Sequence, residues 1–243
     1  MESNTKIART AGVLYLVIIV CAGFSEGVVR SSLFIPENPA LTVQNIKESE
    51  WLFRIGFVAD LVAFMSDLAV SVLLYVLLKP VNSTIALMAM FFRLLAHPAI
   101  ATVNLLNYFA VLLVAGGTGY MAAFSPKQLQ SLSFLFIDLH HTGYLIGGAL
   151  FGLHCLLLAY LLYRSDLFPR FLGFFIGIAA FGYLVESIGM FLAPGYSEIY
   201  QWIVAIPAVI AEVSLCLWLL IKGGRKPAAV GQTTTGKPGM SVT

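Results

Sequence analysis

A small set of ionisable side chains lies inside stretches of the chain that are otherwise apolar. Asp60 and Asp67 interrupt one such stretch, and Arg93 and His97 interrupt the next. An ionisable residue within a membrane span is rare because taking its charge out of water costs free energy, and it commonly marks an ion path, a proton relay or a ligand site. These residue types therefore point to binding or transfer of a proton or a small solute.

Helical geometry places the polar residues of each stretch on one face. At about 100° per residue, each stretch has a single polar stripe, formed by Asp60, Asp67 and Ser71 on the first and by Arg93, His97, Asn104 and Asn107 on the second. Because only residues 79–83 connect the two helices, they should be antiparallel neighbours. Asp67 and Arg93 are then predicted to meet near the middle of the membrane. Such a pair can also serve only to hold two helices together.

Further carboxylates in later apolar stretches leave negative charge in excess. Glu186 and Glu212 lie within predicted spans, whereas Arg93 is the only fixed cation that we place there. Surplus buried carboxylates must be protonated, hydrogen-bonded or offset by a bound cation. The predicted ligand- or proton-binding residues are therefore Asp60, Asp67, Arg93, His97, Glu186 and Glu212.

Counting about 1.5 Å per residue from the predicted helix ends sorts the polar residues into two layers. The midplane layer contains Asp67, Arg93, His97, His154 and Glu212, and the outer layer contains Glu26, Arg30, Asp60, Asp138, His140, His141 and Glu186. Aspartate and histidine clusters suit a zinc ion that activates water, which makes a metal-dependent hydrolase acting on lipid an alternative. Against it, the chain has no His-Glu-x-x-His motif, and adjacent histidines such as His140 and His141 point about 100° apart on a helix.

The composition places these residues in a membrane protein. Of the 243 residues, 59% are hydrophobic and 11% are charged, with a mean hydropathy of +0.90, whereas a soluble domain carries roughly 25% charged residues. Recurrent apolar runs of about 20 residues predict an all-α polytopic bundle of about six spans in a lipid bilayer. The net charge of +2 and the scattered basic residues predict no nucleic-acid partner. The sequence leaves the cofactor, the oligomeric state and a small-molecule or lipid ligand open.

We predict three parts in the chain: an N-terminal segment (1–10), a six-span domain (11–222) and a disordered tail (223–243). The predicted spans are residues 11–29, 54–78, 84–114, 140–163, 171–193 and 199–221. A surface helix is expected from Pro39 to Trp51, with Leu41, Ile46 and Trp51 on its apolar side, and an amphipathic lead-in is expected at 126–139. Pro98 should kink the third span.

Basic residues are more frequent at the side of the membrane where both termini would lie. The positive-inside rule therefore predicts cytoplasmic termini and a location in the cell membrane. Gly-x-x-x-Gly steps in the fourth and fifth spans predict close helix contacts, and they begin at Gly143, Gly148 and Gly173.

Several short motifs follow one another from about residue 8 to residue 223. They include Ala8-Arg9-Thr10-Ala11-Gly12, Leu52-Phe53-Arg54-Ile55-Gly56, Phe92-Arg93-Leu94, Asp138-Leu139-His140, Phe151-Gly152-Leu153-His154-Cys155, Pro169-Arg170-Phe171-Leu172-Gly173 and Trp218-Leu219-Leu220-Ile221-Lys222-Gly223. In these motifs the chain resembles the bacterial multi-pass membrane family known as domain of unknown function 4386 (DUF4386). The resemblance implies a membrane protein of six to seven spans and brings no known activity. An accessory or immunity protein, in which polar groups only set helix register, is a further alternative.

Overall fold

The computed structural model describes residues 2–36 and 38–223, which form helices and short connections with no strand among them. We number seven helices. Helix α1 begins with Glu2–Phe24 and continues through a π-helix, Ser25–Arg30, into Ser31–Leu33. The others are α2 (Pro39–Glu48), α3 (Glu50–Leu78), α4 (Ser83–Leu94, the π-helix Leu95–Ala101 and Thr102–Gly116), α5 (Pro126–Arg164), α6 (Arg170–Leu192) and α7 (Ser197–Ile221).

Six of these helices, all but α2, are long and apolar enough to cross a membrane. Their most apolar segments have mean hydropathies between 1.8 and 2.4. Only helices that satisfy their own backbone hydrogen bonds, or closed barrels, can span the hydrocarbon layer. The predicted all-α polytopic bundle is therefore confirmed, and its environment is a lipid bilayer.

The predicted order of spans is correct, but two helices are longer than expected. Helix α1 reaches Leu33 and begins within the predicted N-terminal segment. The predicted lead-in at 126–139 is continuous with the span that follows it, because α5 is one helix of 39 residues. A capping box of Ser125 and Gln128 fixes its start. The predicted disordered tail lies outside the described residues, except for Gly223.

Helix α2 forms where a surface helix was predicted, but its buried face differs. The Asn38 side chain accepts the backbone N–H of Leu41 and so caps the helix. The residues that face the protein are Thr42, Val43 and Ile46. Leu41 is exposed, and Trp51, at 74% exposed, belongs to the first turn of α3. The prediction of the apolar side is thus correct only for Ile46.

The six long helices pack side by side in chain order: α1 on α3, α3 on α4, α4 on α5, α5 on α6, α6 on α7, and α7 back on α1. Short connections make successive helices antiparallel, so the bundle is a closed ring in which both described chain ends lie at the same end. We call this the terminal end. Helix α2 packs against α4 and α5 at the opposite end, which we call the α2 end.

Glycine positions allow close contacts where the Gly-x-x-x-Gly steps predicted them. A Cβ atom on Gly173 of α6 would lie 2.8 Å from the backbone oxygen of Ala159 on α5, and one on Gly147 of α5 would lie 3.2 Å from that of Ala96 on α4. Around Pro98, predicted as a kink, α4 is a π-helix. Proline lacks an N–H and disrupts regular α-helical pairing.

Candidate functional site

The buried polar side chains of the bundle form two clusters, each built around one arginine. The Arg93 cluster consists of Arg93, Asp67 and His154, and the Arg30 cluster consists of Arg30, Asp60 and His140. Arg93 is 1% exposed and Arg30 is 8% exposed. Charges this deep in a membrane protein need partners, and the two clusters supply them.

In the Arg93 cluster, the guanidinium of α4 meets a carboxylate of α3 and an imidazole of α5. Arg93 Nε donates to Asp67 Oδ1 at 2.8 Å, which places the pair in contact as the antiparallel hairpin predicts. Arg93 Nη1 lies 3.1 Å from His154 Nε2. Because arginine only donates, Nε2 must accept, and Nδ1 of His154 donates to the backbone oxygen of Ala89 at 2.8 Å. His154 is therefore neutral, with its proton on Nδ1.

The Arg30 cluster repeats this arrangement nearer the α2 end. Arg30 Nη2 donates to Asp60 Oδ2 and lies 3.3 Å from His140 Nε2. Nδ1 of His140 donates to the backbone oxygen of Asn104, 3.2 Å away. Arg30 Nη1 also donates to the Glu26 carboxylate at a distance of 3.1 Å. The Glu26 side chain is 76% exposed. His140 is thus held in the same tautomer as His154.

The two clusters share one plan across the helices. Both aspartates are on α3, both histidines are on α5, and each histidine donates to a backbone oxygen of α4. Each guanidinium also lies over two aromatic rings, at 5.1 and 5.6 Å for Tyr108 and Tyr144 with Arg30, and at 5.0 and 5.2 Å for Tyr15 and Phe151 with Arg93. Within each cluster the guanidinium is paired with a buried aspartate, which is typical of a structural role. In the described chain, Arg30 Nε and the Tyr108 hydroxyl remain buried without a hydrogen-bond partner.

The Arg30–Asp60 pair corrects the charge balance expected from the sequence. Arg93 is not the only fixed cation within the spans, because α1 extends past residue 29 and carries Arg30 into the bundle. Asp60 is therefore compensated. The prediction failed because the first span was ended one residue before this arginine. Of the carboxylates predicted as binding residues, Glu186 and Glu212 remain without a cation in the part of the chain that the structure describes.

Glu212 lies on the inward face of α7. Its position lies at the edge of the stripe of buried residues Val204, Ala208, Ala211, Leu215 and Leu219, and Glu212 itself is only half-buried. The Tyr183 hydroxyl of α6 donates to Glu212 Oε1 at 2.6 Å. No lysine, arginine or histidine of the described chain lies within ion-pair distance of this carboxylate. Arg93 and His97 are close enough to act on it electrostatically.

Glu186 is a second half-buried carboxylate, about one turn from Tyr183 on α6 toward the α2 end. Within residues 2–36 and 38–223 it has neither a hydrogen bond nor an ion pair. Two carboxylates on adjacent helices, α6 and α7, are therefore left without a positive partner.

His97 differs from the two clustered histidines because part of its ring is accessible. Its Nδ1 lies 3.1 Å from Asp67 Oδ2, and its side chain is 25% exposed. The ring lies between Phe64 and Phe151, at centroid distances of 6.0 and 4.5 Å. Nδ1 is hydrogen-bonded to Asp67, so Nε2 is the ring nitrogen that remains available to a ligand.

The outer-layer residues do not assemble into one centre. Asp60 and His140 meet at Arg30, whereas Asp138 and His141 are exposed on α5. Glu186 lies on a different helix, α6. In the described part of the chain, no three His, Cys, Asp or Glu side chains are grouped so that they could hold a metal ion.

The tyrosines around both arginines and Glu212 were missed from the sequence. A signal was present, since Tyr108 follows Asn104 and Tyr144 follows His140 at a spacing of four residues. That spacing puts both members of a pair on the same helix face. Tyr183 has no comparable local signal, because its partner Glu212 is on another helix.

Two comparisons relate this chain to known sequences, and the longer match extends through all six long helices. A sequence model of the family described as "Domain of unknown function (DUF4386)" matches residues 10–223. An uncharacterized protein of Archaeoglobus fulgidus is 31% identical over 168 residues, which is 69% of this chain and 82% of that relative. No solved structure matches the chain.

Proposed function

Since the chain belongs to the DUF4386 family, whose description assigns no activity, we propose from the site geometry that the protein binds a proton or a small cationic solute at Glu212 and moves it across the membrane. One observation carries the proposal. Glu212 is a carboxylate on the inward face of a membrane-spanning helix, and its hydrogen-bond partner is the uncharged hydroxyl of Tyr183.

An ionised carboxylate in a membrane span is costly without a counter-charge. Asp60 and Asp67 meet this requirement through Arg30 and Arg93. Glu212 has no such cation among the described residues, so a proton or a bound cation must supply the charge. Because the side chain is half-buried and not sealed, exchange between the two states is open to it. This alternation is the step on which proton or solute transfer would depend.

His97 is the second working group of the proposed site. It lies within electrostatic range of Glu212 and keeps accessible ring surface. Asp67 orients the imidazole by accepting from Nδ1, which leaves Nε2 as the ring nitrogen that could contact a bound solute. The Arg93 cluster would then hold α3, α4 and α5 in register beneath the site.

The proposed orientation follows the distribution of basic residues. Connections at the terminal end carry Lys79, Arg164, Arg170 and Lys222, whereas those at the α2 end carry Lys47, Arg54 and Lys127. Lys6 and Arg9 add to the terminal end. By the positive-inside rule the terminal end would be cytoplasmic, and we propose the cell membrane as the location.

The purified full chain in proteoliposomes that contain a pH-sensitive dye tests the function. Under an imposed pH gradient, we expect wild-type protein to move protons and Glu212→Gln to reduce the initial rate by about tenfold or more, corresponding to at least ~1.4 kcal/mol. Glu198→Gln, an exposed position in the first turn of the same helix, should retain the wild-type rate.

Binding of radiolabelled methylammonium to the detergent-solubilised protein supplies the second measurement. A Glu212→Gln protein that stays folded and keeps both proton flux and methylammonium binding at wild-type levels would overturn the proposal. That result would favour the accessory interpretation, which the charge-paired Asp60–Arg30 and Asp67–Arg93 contacts also support.

A further inference from the structure

Helices α1 and α7 are in close contact near the terminal end. A Cβ atom on Gly12 of α1 would lie 2.8 Å from the backbone nitrogen of Leu220 on α7. The Cys216 thiol lies 3.6 Å from the backbone oxygen of Gly12. At this level the ring of six helices is closed.

Toward the α2 end the same side of α1 is open. Gly23 lies about three turns beyond Gly12 and within about 20° of the same face. Gly23 is exposed, and a Cβ atom there would have no other atom within 4 Å. Helix α7 therefore does not contact this face of α1 at the level of Gly23.

Each of the two helices instead follows its other neighbour. On α1, the Ser25 hydroxyl donates to the backbone oxygen of Gly56 on α3 at 3.2 Å. On α7, the backbone oxygen of Ile203 lies 2.7 Å from where a Cβ on Gly182 of α6 would be. Between them lies what we call the α1–α7 gap, bounded by Gly23 on α1 and by the exposed Gln201 and Ala205 on α7.

Glu212 lies at the base of this gap. It is about two turns from Leu220, where the helices touch, and on the same side of α7 as Ala205 to within about 20°. The outer rims of the gap are apolar and lipid-facing, with Val20 60% exposed and Val209 63% exposed. The gap thus has apolar rims and leads toward the partly exposed Glu212, which has no cation within ion-pair distance among the described residues.

We propose that the α1–α7 gap admits an alkylammonium, a cation with a hydrocarbon tail, from the bilayer to Glu212. This rests on the proposed function and names its ligand class. The ammonium group would donate to the Glu212 carboxylate, and the Tyr183 and His97 rings lie on the elements around it. The tail would lie along the gap. Glu186 adds a second carboxyl group on α6, and the described residues place no lysine or arginine in an ion pair with either carboxyl group, so an anionic amphiphile of the same shape would find no cation there.

Scintillation proximity binding with the purified full chain tests the proposal, using radiolabelled dodecylamine and methylammonium. Gly23→Trp should fill the gap and weaken dodecylamine binding by about tenfold or more, while methylammonium binding stays at the wild-type level. Gly116→Trp is the matched control, since a Cβ there also meets nothing within 4 Å, and it should change neither affinity. Unlabelled dodecanol and dodecanoate should not displace bound dodecylamine.

Wild-type dodecylamine affinity in Gly23→Trp would overturn the gap as the route, and displacement by dodecanol or dodecanoate would overturn the cationic ligand class. Both results leave the proposed function unchanged if Glu212→Gln still abolishes methylammonium binding. If Glu212→Gln keeps both ligands, the proposed function and this inference fall together.

Discussion

At the scale of single residues, the bundle contains two kinds of buried charge. Asp60 and Asp67 are each paired with an arginine that also lies between two aromatic rings. Glu212 has only a tyrosine hydroxyl. In a low-dielectric surrounding, a paired charge fixes the positions of helices, whereas an unpaired carboxylate must be protonated, hydrogen-bonded or offset by a bound cation. On this difference we base the proposal that Glu212 is the working residue.

Arg93→Ala should destabilise the protein by roughly 3–5 kcal/mol, because the buried Asp67 loses its arginine and keeps only the contact with His97. Unfolding in mixed detergent micelles, followed by circular dichroism, measures the change. Arg54→Ala is the control: its pair with Glu50 is 46% and 50% exposed, and exposed pairs contribute only about 0–1 kcal/mol. Adding Asp67→Asn to Arg93→Ala should recover part of the loss. Equal stability of Arg93→Ala and Arg54→Ala would contradict a structural role for the cluster.

Tyr183→Phe should weaken methylammonium binding by roughly tenfold, because a hydrogen bond to a charged group contributes about 1.5–3 kcal/mol. The fold should be kept, since only one hydroxyl is removed. The control is Tyr160→Phe, at an exposed position on α5, which should bind as the wild type does. If Tyr183→Phe binds with unchanged affinity, the hydroxyl does not support the ionised form of Glu212.

At the scale of elements, irregular helix segments accompany the polar residues. The π-helix Ser25–Arg30 ends at the arginine of one cluster, and the π-helix Leu95–Ala101 begins just after Arg93 and contains His97. A π-turn widens the helix, and such turns are frequent at functional sites. Glycines act in the opposite sense, since they bring α5 and α6 close enough to fix their mutual position.

Gly173→Ala should destabilise the protein by about 1–3 kcal/mol, the usual cost of overpacking. Its Cβ would lie 2.8 Å from backbone atoms of both Ala159 and Tyr163, which cannot move without shifting α5. Gly23→Ala, where nothing lies within 4 Å, should be neutral or slightly stabilising because alanine favours helix. Detergent unfolding compares the two variants. A Gly173→Ala protein as stable as Gly23→Ala would show that the α5–α6 contact is looser than described.

At the scale of the whole molecule, the six long helices close into a ring that is tight at the terminal end and open between α1 and α7 toward the α2 end. The least buried span is α1, with 22% of its most apolar segment inside the protein, compared with 50% for α5. This asymmetry of the ring is the basis on which we propose that Glu212 is reached from the side between α1 and α7.

Reporter fusions test the proposed orientation in the membrane. A fluorescent protein that folds only in the cytoplasm should be active when fused after Lys222, and a phosphatase that works only outside the cytoplasm should be active when inserted at Gly119–Ala123, the connection at the α2 end. The converse fusions should be inactive. The opposite pattern would reverse the proposed orientation and place the open side of the gap in the cytoplasmic leaflet.

The sequence alone determines the class of fold, the order of the spans and the Asp67–Arg93 contact. All three depend on local properties, because a bilayer requires long apolar helices that satisfy their own backbone, and a connection of a few residues makes two helices antiparallel. Short-range periodicity then places Asp67 and Arg93 on facing stripes.

Only the tertiary structure decides the partners of Arg30 and Glu212. Arg30 meets His140 across 110 positions of sequence, and Tyr183 meets Glu212 across 29. Hydrophobic patterns state which face of a helix is apolar, but in lipid they do not state which helix will lie against it. The separation of α1 from α7 is decided in the same way, by packing at Gly12, Gly56 and Gly182, since steric fit sets the angle at which two helices cross.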